Sequence, residues 1–214
     1  MDYLKQLYQE LSNAFGPQYW WPGDTPFEVA VGAILTQNTN WTNVEKAIAN
    51  LKQKKALTAK ALHAMPAPDL AGLIRPAGYF NIKAKRLKSF IGFLSENFHG
   101  SMEKMRKDDM DSLRGMLLNI NGIGPETADS ILLYALEKPV FVIDAYTKRV
   151  LSRHKIMEDS KSYDEFQDLF HSTLQRDVRF FNEFHALFVR VGKLYCKKKT
   201  PLCAQCPLKP YGQI

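Results

Sequence analysis

The sequence predicts an all-α protein, and two features indicate this class. Apolar residues recur at intervals of three and four along nearly every segment, as in Leu4, Leu7 and Leu11, which is the spacing of one helix face. Possible strands are short, and the best of them, residues 139–143, lies between two stronger helical segments. We therefore interpret it as a loop that enters a helix. With 45% hydrophobic and 24% charged residues, the 214-residue chain has the composition of a globular protein.

Capping residues and prolines set the bounds of the predicted helices. Asp24, Thr25 and Pro26 place a cap and a first-turn proline at the start of one helix. The segment 76–78, proline, alanine and glycine, breaks the chain later on. The predicted helices are 27–37, 42–52, 59–63, one beginning near Asp69, 83–98, 107–118, 126–136, 145–154, and two between 163 and 195.

The charge balance bears on partners and compartment. A net charge of +7 suits a polyanionic partner, although many basic proteins never contact nucleic acid. No stretch approaches the roughly 20 apolar residues that a membrane-spanning helix needs, and residues 1–18 contain no long apolar run. We therefore expect no membrane partner, no signal peptide and a cytoplasmic, nucleoid-associated protein.

All three cysteines, Cys196, Cys203 and Cys206, fall within the last nineteen residues. A disulfide framework spreads its bridges along a small secreted chain, so this clustering argues against one. It favours a metal site instead.

A glycine hairpin at residues 121–124 is the most informative local pattern. Gly122 and Gly124 flank Ile123 between two amphipathic segments, and we expect both glycines to adopt positive φ while Ile123 enters the core. The N–H groups of the helix that follows would point out of the turn, as at a site for a DNA phosphate. An ordinary helix-turn-helix connection is the alternative.

Asp144 follows the apolar run 139–143 and opens a predicted helix. By itself this position predicts an N-cap, which needs no catalysis. Yet the order of hairpin, helix, apolar loop and aspartate, with Lys148, Arg149 and Arg153 just beyond, closely resembles the helix-hairpin-helix and catalytic-aspartate signature of the endonuclease III superfamily.

The resemblance extends over nearly the whole chain, from about Pro26 to the C-terminus. Residues 31–39 resemble the first barrel helix of the family and its glutamine-bearing loop, and residues 78–85 resemble its second DNA-inserting loop. The resemblance implies two helical lobes with the substrate cleft between them. One lobe would comprise residues 23–134, with the hairpin, and the other residues 1–22 and 135–214, with the aspartate and the cysteine loop. It also implies a monomer that acts on double-stranded DNA containing damaged bases.

The same resemblance implies the DNA contacts. Gln37 and Tyr79 would fill the gap that a flipped nucleotide leaves, although a capping amide and a half-buried aromatic ring are the plain alternatives. Gly122, Gly124 and Lys148 would contact DNA, and a monovalent cation at the hairpin is implied as well. Lys83, Lys85, Arg86 and Lys88 would contact the DNA backbone, unless they form a solvated helix face.

Glu126 bears on the type of reaction. Family members that also cut the strand carry a lysine two residues after the second hairpin glycine, and this chain has Glu126 there. A glutamate cannot form a Schiff base, which predicts a monofunctional glycosylase. Asp144, as a carboxylate, would stabilise the positive charge on the sugar and orient the attacking water. Another lysine, such as Lys148 or Lys193, remains an alternative nucleophile.

The three tryptophans, Trp20, Trp21 and Trp41, suggest the substrate. A flipped, positively charged alkylated purine such as 3-methyladenine gains about 0.5–2 kcal/mol by stacking on an indole face. Residues 20–22 and 35–39, together with Glu126, resemble the bacterial 3-methyladenine glycosylases of endonuclease III type, so we assign the tryptophans and Glu126 to the base pocket. Core packing is the plain alternative for the tryptophans.

Other functions stay open at this point. They are a mismatch uracil or thymine glycosylase, a bifunctional glycosylase and lyase, and a non-catalytic helix-hairpin-helix protein that only binds DNA.

The cysteine loop is incomplete relative to the family. The spacing of Cys196, Cys203 and Cys206 is similar to the first three ligands of an iron–sulfur loop, but Gly212 stands near the place of the fourth. Three thiolates can hold an iron–sulfur cluster if water, a carboxylate or the chain terminus binds one iron. Zinc and an unmetallated loop are the alternatives.

Overall fold

A computed structural model describes residues 3–20 and 23–209, and these residues are helical with no strand among them, which confirms the all-α class. None of the helices in this part of the chain is both long and apolar enough to cross a membrane. The chain divides into two compact units. The first unit comprises Met1–Trp20 and Pro139–Ile214, and the second comprises Trp21–Lys138, in place of the predicted boundaries at 23 and 134.

Twelve α-helices lie within the described residues. In chain order they are α1 (Tyr3–Phe15), α2 (Pro26–Leu35), α3 (Trp41–Gln53), α4 (Ala59–Ala64), α5 (Ala67–Leu73), α6 (Phe80–Phe98), α7 (Met102–Arg106), α8 (Met110–Leu118), α9 (Pro125–Ser130), α10 (Ala145–Arg153), α11 (Tyr163–Thr173) and α12 (Val178–Leu194). Two 3₁₀ turns, Arg75–Ala77 and Cys203–Gln205, and one π-helical turn, Ile131–Ala135, complete the secondary structure.

The caps explain where several helices begin. The hydroxyl of Thr25 accepts a hydrogen bond from Glu28 N, and Pro26 occupies the first turn, as predicted. The helix predicted over 107–118 is present as α8 but begins at Met110, because the Asp109 carboxylate accepts from Ser112 N and caps it there. The short helix α7 that precedes it was not predicted.

The predicted helix 126–136 also changes character along its length. It is α-helical only to Ser130 and then widens into the π turn, where Leu136 N donates to Ile131 O. All five residues of the π turn are buried, so tertiary packing surrounds this turn on every side.

The second unit is built around α2 and α6. Helix α2 packs on α3, α6, α9 and the π turn, while α6 also packs on α4, α5 and α7. The helices on either side of the hairpin are joined by an ion pair. Arg114 on α8 donates from Nε to Asp129 Oδ1 on α9 at 2.8 Å, and Asp129 is fully buried. This pair fixes the two helices that carry the hairpin.

The first unit has an aromatic core. Helix α12 packs on α1 and α10, and it contributes Phe181, Phe184 and Phe188 to a cluster around Phe141. The Phe141 ring stacks on Phe170 of α11 with centroids 3.7 Å apart. The apolar run before Asp144 is therefore anchored in this core.

Helices α10 and α12 approach closely at Gly192. A Cβ at position 192 would lie 2.5 Å from Cδ1 and 2.9 Å from Cβ of Tyr146 on α10. Both atoms lie near the base of the tyrosine side chain and not at the far end of a flexible one. Either the tyrosine ring or one of the two helices would therefore have to shift.

Gly192→Ala is therefore expected to lower the free energy of unfolding by about 1–3 kcal/mol, which is typical of overpacking. Gly115→Ala is the matched control, since Gly115 is exposed in α8 with no atom within 4 Å of an added Cβ. It should raise the stability by about 0.5–1 kcal/mol. Urea unfolding followed by circular dichroism measures both, and equal effects of the two substitutions would contradict the packing argument.

Candidate active site

Asp144 is the N-cap of α10. Its backbone is extended, with φ −97° and ψ 177°, and Oδ1 accepts a hydrogen bond from Thr147 N at 2.7 Å. Asp144 therefore has the N-cap role that its position in the sequence predicts. The cap leaves the second carboxylate oxygen for other contacts.

That second oxygen faces His185. Nε2 of His185, on α12, lies 3.5 Å from Asp144 Oδ2. Burial alone would raise the pKa of Asp144, but His185 and the hydrogen bonds from Thr147 outweigh it and hold the pKa below its ordinary value. The side chain keeps 12% of its surface exposed. Position 144 therefore carries an ionised, nearly buried carboxylate that is not sealed off.

The extended segment 139–143 delivers Asp144 to this position without a neighbouring strand. Side chains of α11 bond to three of its backbone groups instead. Phe141 N donates to His171 Nε2 at 2.9 Å, Gln167 Nε2 donates to Phe141 O at 2.7 Å, and Ile143 N donates to Tyr163 Oη at 3.2 Å. Three backbone groups of this buried segment are thereby paired, as buried polar groups require.

The hairpin has one left-handed glycine and not two. Gly122 has φ +87°, as predicted, whereas Gly124 has φ −93° and caps α9 in an extended conformation. The expectation of positive φ at Gly124 is wrong, because a single left-handed residue completes the turn. Ile123 is 4% exposed, which confirms its predicted place in the core.

Gln37 lies against this hairpin. Its Nε2 donates to Gly122 O at 3.0 Å and to Thr127 Oγ1 at 2.9 Å, and its Oε1 accepts from the guanidinium of Arg86. The stem of Arg86 also covers Gly122, where a Cβ would lie 2.7 Å from Arg86 Cδ. The structure thus joins three predicted DNA-contact residues, namely Gln37, Gly122 and Arg86.

Tyr79 lies at the start of α6 in the left-handed region, with φ +46°, and its side chain is 67% exposed. It is therefore not the half-buried ring of the plain alternative.

The basic residues of α6 behave differently from one another. Lys83, expected to contact DNA, is only 1% exposed and donates to Leu35 O and Ala77 O at 2.8 Å each. This expectation is wrong, because Lys83 lies on the buried face of α6. Lys88 donates to the carbonyls of Leu62, His63 and Met65, while Lys85 is exposed.

The residues assigned to the base pocket are distributed over the two units. Trp20 is half-buried in the first unit, where the ammonium of Lys193 lies 5.8 Å from its ring centre. Trp41 is half-buried at the first position of α3, and Glu126 is exposed in the first turn of α9, both in the second unit. Trp21 lies outside the described residues. A common pocket for these residues stays a prediction.

The ammonium group of Lys148 contacts other residues of the first unit. Its Nζ donates to Lys161 O at 3.4 Å and lies 5.0 Å from the ring centre of Phe166. A contact of Lys148 with DNA, and a cation at the hairpin, likewise stay predictions.

The three cysteines line one cavity. Cys196, Cys203 and Cys206 are free thiols, and they share the cavity with Arg153, His154, Tyr195 and Lys209. Arg153 donates to Cys196 Sγ at 3.4 Å and to Lys197 O at 2.7 Å, and Arg149 donates to Cys196 O at 2.7 Å. Two arginines of α10 therefore hold the start of the loop.

The described part of the cysteine loop does not complete a metal site. Within residues 3–20 and 23–209, no three histidine, cysteine, aspartate or glutamate side chains are placed to hold a metal ion. Burial raises the pKa of the Cys206 thiol above its ordinary value. Gly212, near the place of the expected fourth ligand, lies outside the described residues. The iron–sulfur cluster stays a prediction, and no chemical step is derived from it.

Sequence reasoning missed His185, Thr127 and the role of Arg86. His185 had a usable signal, because it shares the buried face of α12 with Phe181 and Phe188, and a polar residue on such a face calls for a partner. Thr127 and Arg86 carried no such signal, since their partners are distant in sequence.

Comparison with known proteins identifies the family. Residues 31–176 match the model of the HhH-GPD superfamily of base excision DNA repair proteins. The chain belongs to this superfamily. The coarser expectation, a helix-hairpin-helix DNA glycosylase of base excision repair with DNA as its partner, is thereby confirmed.

Three members of the superfamily are similar over nearly their whole lengths. A putative DNA repair glycosylase of Methanocaldococcus jannaschii is 48% identical over 98% of this chain and 96% of its own length. The solved 3-methyladenine DNA glycosylase of H. pylori, bound to 1,N6-ethenoadenine, is 32% identical with a TM-score of 0.72, covering 89% of this chain and 94% of that one. A non-covalent endonuclease III–DNA complex has a TM-score of 0.83 at 22% identity, covering 100% and 96%, and supports the fold alone.

The geometry of the hairpin predicts different tolerance at its two glycines. Gly122→Ala should lower the free energy of unfolding by about 1–2 kcal/mol or more, because it adds strain at positive φ and overlaps the Arg86 stem. Gly124→Ala should change it by less than about 0.5 kcal/mol, since the site has negative φ and open space. Urea unfolding of both variants tests this order, and the reverse order would contradict the turn described here.

Proposed function

We propose that this protein is a monofunctional DNA glycosylase that hydrolyses the N-glycosidic bond of alkylated purines such as 3-methyladenine in duplex DNA. The observation that carries the proposal is the carboxylate of Asp144, which stays ionised although nearly buried. Membership of the superfamily supplies the reaction class.

The proposed chemistry follows from the two oxygens of Asp144. Oδ1 is fixed by Thr147 N, so the carboxylate has little freedom to rotate. Loss of the base leaves positive charge on the deoxyribose, and a fixed negative charge beside the sugar stabilises it. The same carboxylate orients the attacking water and takes its proton. His185 assists by favouring the ionised form of Asp144.

The absence of a lysine at position 126 supports hydrolysis without strand cleavage. Glu126 is exposed in the first turn of α9, directly after the hairpin. A carboxylate there has no amine with which to form a Schiff base. The proposed product is therefore an abasic site in an intact strand.

Two features support an alkylated purine as the substrate. Trp20 and Trp41 are half-buried, so part of each side chain is open to solvent, and an indole face is a good surface for a cationic base. The H. pylori relative, at 32% identity, is a 3-methyladenine glycosylase and was solved with a modified adenine. Uracil is the rival substrate, because it also requires only one carboxylate and no lysine.

Asp144→Asn tests the mechanism. Asparagine caps helices as well as aspartate does, so α10 should persist while the charge is lost. Release of 3-methyladenine from methylated duplex DNA should fall by about 10²–10⁴-fold, which is typical for loss of a general base. Base release under single-turnover conditions, with binding to the same duplex measured in parallel, gives the result.

Asp159→Asn is the matched control, because it removes an exposed carboxylate of the first unit and should leave release unchanged. Equal activity of the Asp144→Asn and wild-type proteins would sink the mechanism. Release of uracil without methylpurine would sink the substrate assignment.

Trapping with borohydride tests the monofunctional assignment. Incubated with methylated or abasic duplex and borohydride, the wild-type protein and Glu126→Gln should form no covalent complex. Glu126→Lys should form one, since it restores an amine where bifunctional relatives carry theirs. Denaturing gels report the product.

A trapped wild-type complex would contradict this assignment and point to another lysine. Lys148→Met and Lys193→Met would then show which side chain is used. Failure of Glu126→Lys to trap, in a folded protein, would contradict the match of position 126 to the lysine of the bifunctional family members.

A further inference from the structure

Helix α6 carries two cations that hold separate loops of the second unit. Lys83 and Arg86 are three residues apart and share a face of the helix. Lys83 binds the carbonyls of Leu35 and Ala77, the last residues of α2 and of the first 3₁₀ turn. The Gln37 loop and the Tyr79 turn start directly after these two carbonyls, so one buried ammonium fixes the roots of both.

The burial of Lys83 also changes the pKa of its ammonium group. Burial, together with the positive charge of Arg86, lowers the pKa of Lys83 to about 8. With a pKa of about 8 the side chain is still mostly charged at pH 7, and its ammonium donates to two carbonyl acceptors at 2.8 Å each.

Arg86 holds the side chain of Gln37, which lies in the first of these two loops. Its guanidinium donates to Gln37 Oε1, while Gln37 Nε2 donates to Gly122 O and Thr127 Oγ1. A guanidinium cannot accept a hydrogen bond and a carbonyl cannot donate one. The amide of Gln37 therefore has a single possible orientation, set jointly by α6 and the hairpin.

We propose that Arg86 is a positioning residue that holds Gln37 on the hairpin, so that the glutamine loop and the hairpin engage a damaged duplex as one surface. This inference rests on the proposed function, since a glycosylase that flips a nucleotide leaves a gap, which Gln37 is expected from the sequence to fill. It explains why Gly122 is required: the Arg86 stem occupies the space that a Cβ at position 122 would fill.

The first test is made on the free protein. In Arg86→Met, which removes the donor but keeps an apolar stem, backbone amide hydrogen exchange should accelerate in both segments 36–39 and 121–124. Lys85→Met is the matched control, because it removes the same charge from an exposed neighbour on the same helix, and it should leave exchange in both segments unchanged. Unchanged exchange in Arg86→Met overturns the proposal, whatever base the protein removes.

The second test compares binding to a duplex with an abasic-site analogue and to an undamaged duplex. Arg86→Met and Gln37→Ala should each reduce the preference for the abasic duplex by about tenfold, as for loss of one charge-assisted hydrogen bond. The double variant should lose no more than either single variant, because both break the same contact. Arg86→Lys, which retains a donor, should recover much of the preference.

The controls separate this role from plain charge and from the substrate assignment. Lys85→Met should weaken binding to both duplexes equally, as for a phosphate contact. An equal loss on both duplexes in Arg86→Met, or additive losses in the double variant, overturns the positioning role. If the coupling appears but 3-methyladenine is not released, the substrate assignment fails while the inference about Arg86 stands.

Discussion

An ionised carboxylate in a nearly dry environment is the constraint on which the first unit depends. Burying such a charge is unfavourable unless hydrogen bonds and an opposite partner compensate. Asp144 has both, because its own helix supplies the amide of Thr147 and a second helix supplies His185. The contact of α10 with α12 at Gly192 keeps these two helices close, so the packing of a glycine and the charge state of an aspartate are linked.

In the second unit, the hairpin and the glutamine loop have little regular secondary structure, and contacts with neighbouring helices hold them in place. The hairpin is stabilised from behind by Arg114 and Asp129, which join the helices that it connects. The glutamine loop is fixed from the side by α6 and by the hairpin itself. Cations on two helices, Arg114 on α8 and Arg86 on α6, thus supply hydrogen bonds that the loops themselves lack.

Much of the fold could be predicted because helices leave local signals. Apolar spacing, Thr25 with Pro26, and the Gly122 turn are all encoded within a few residues of the structure that they form. Asp144 could be named as an N-cap and as the candidate catalytic carboxylate for the same reason, since the hairpin, the apolar run and the cap follow one another in sequence.

The errors arise where distant segments decide the outcome. Lys83 stands in a run of charges that predicts an exposed face, yet the carbonyl ends of two other elements draw it inside. The π turn lies among five successive buried residues, and no local signal in the sequence marks it. The partnership of His185 with Asp144 depends on how α12 packs. Only tertiary structure contains this information.

The extended segment that leads to Asp144 is held in part by one nitrogen of a histidine in α11. His171 accepts a hydrogen bond from Phe141 N through Nε2, so that nitrogen carries no proton and the neutral ring is protonated at Nδ1. The amide of Phe141 is buried, so a side chain without an acceptor at position 171 would leave that N–H unpaired. The choice of a histidine in α11 therefore helps to hold the extended segment that ends at Asp144.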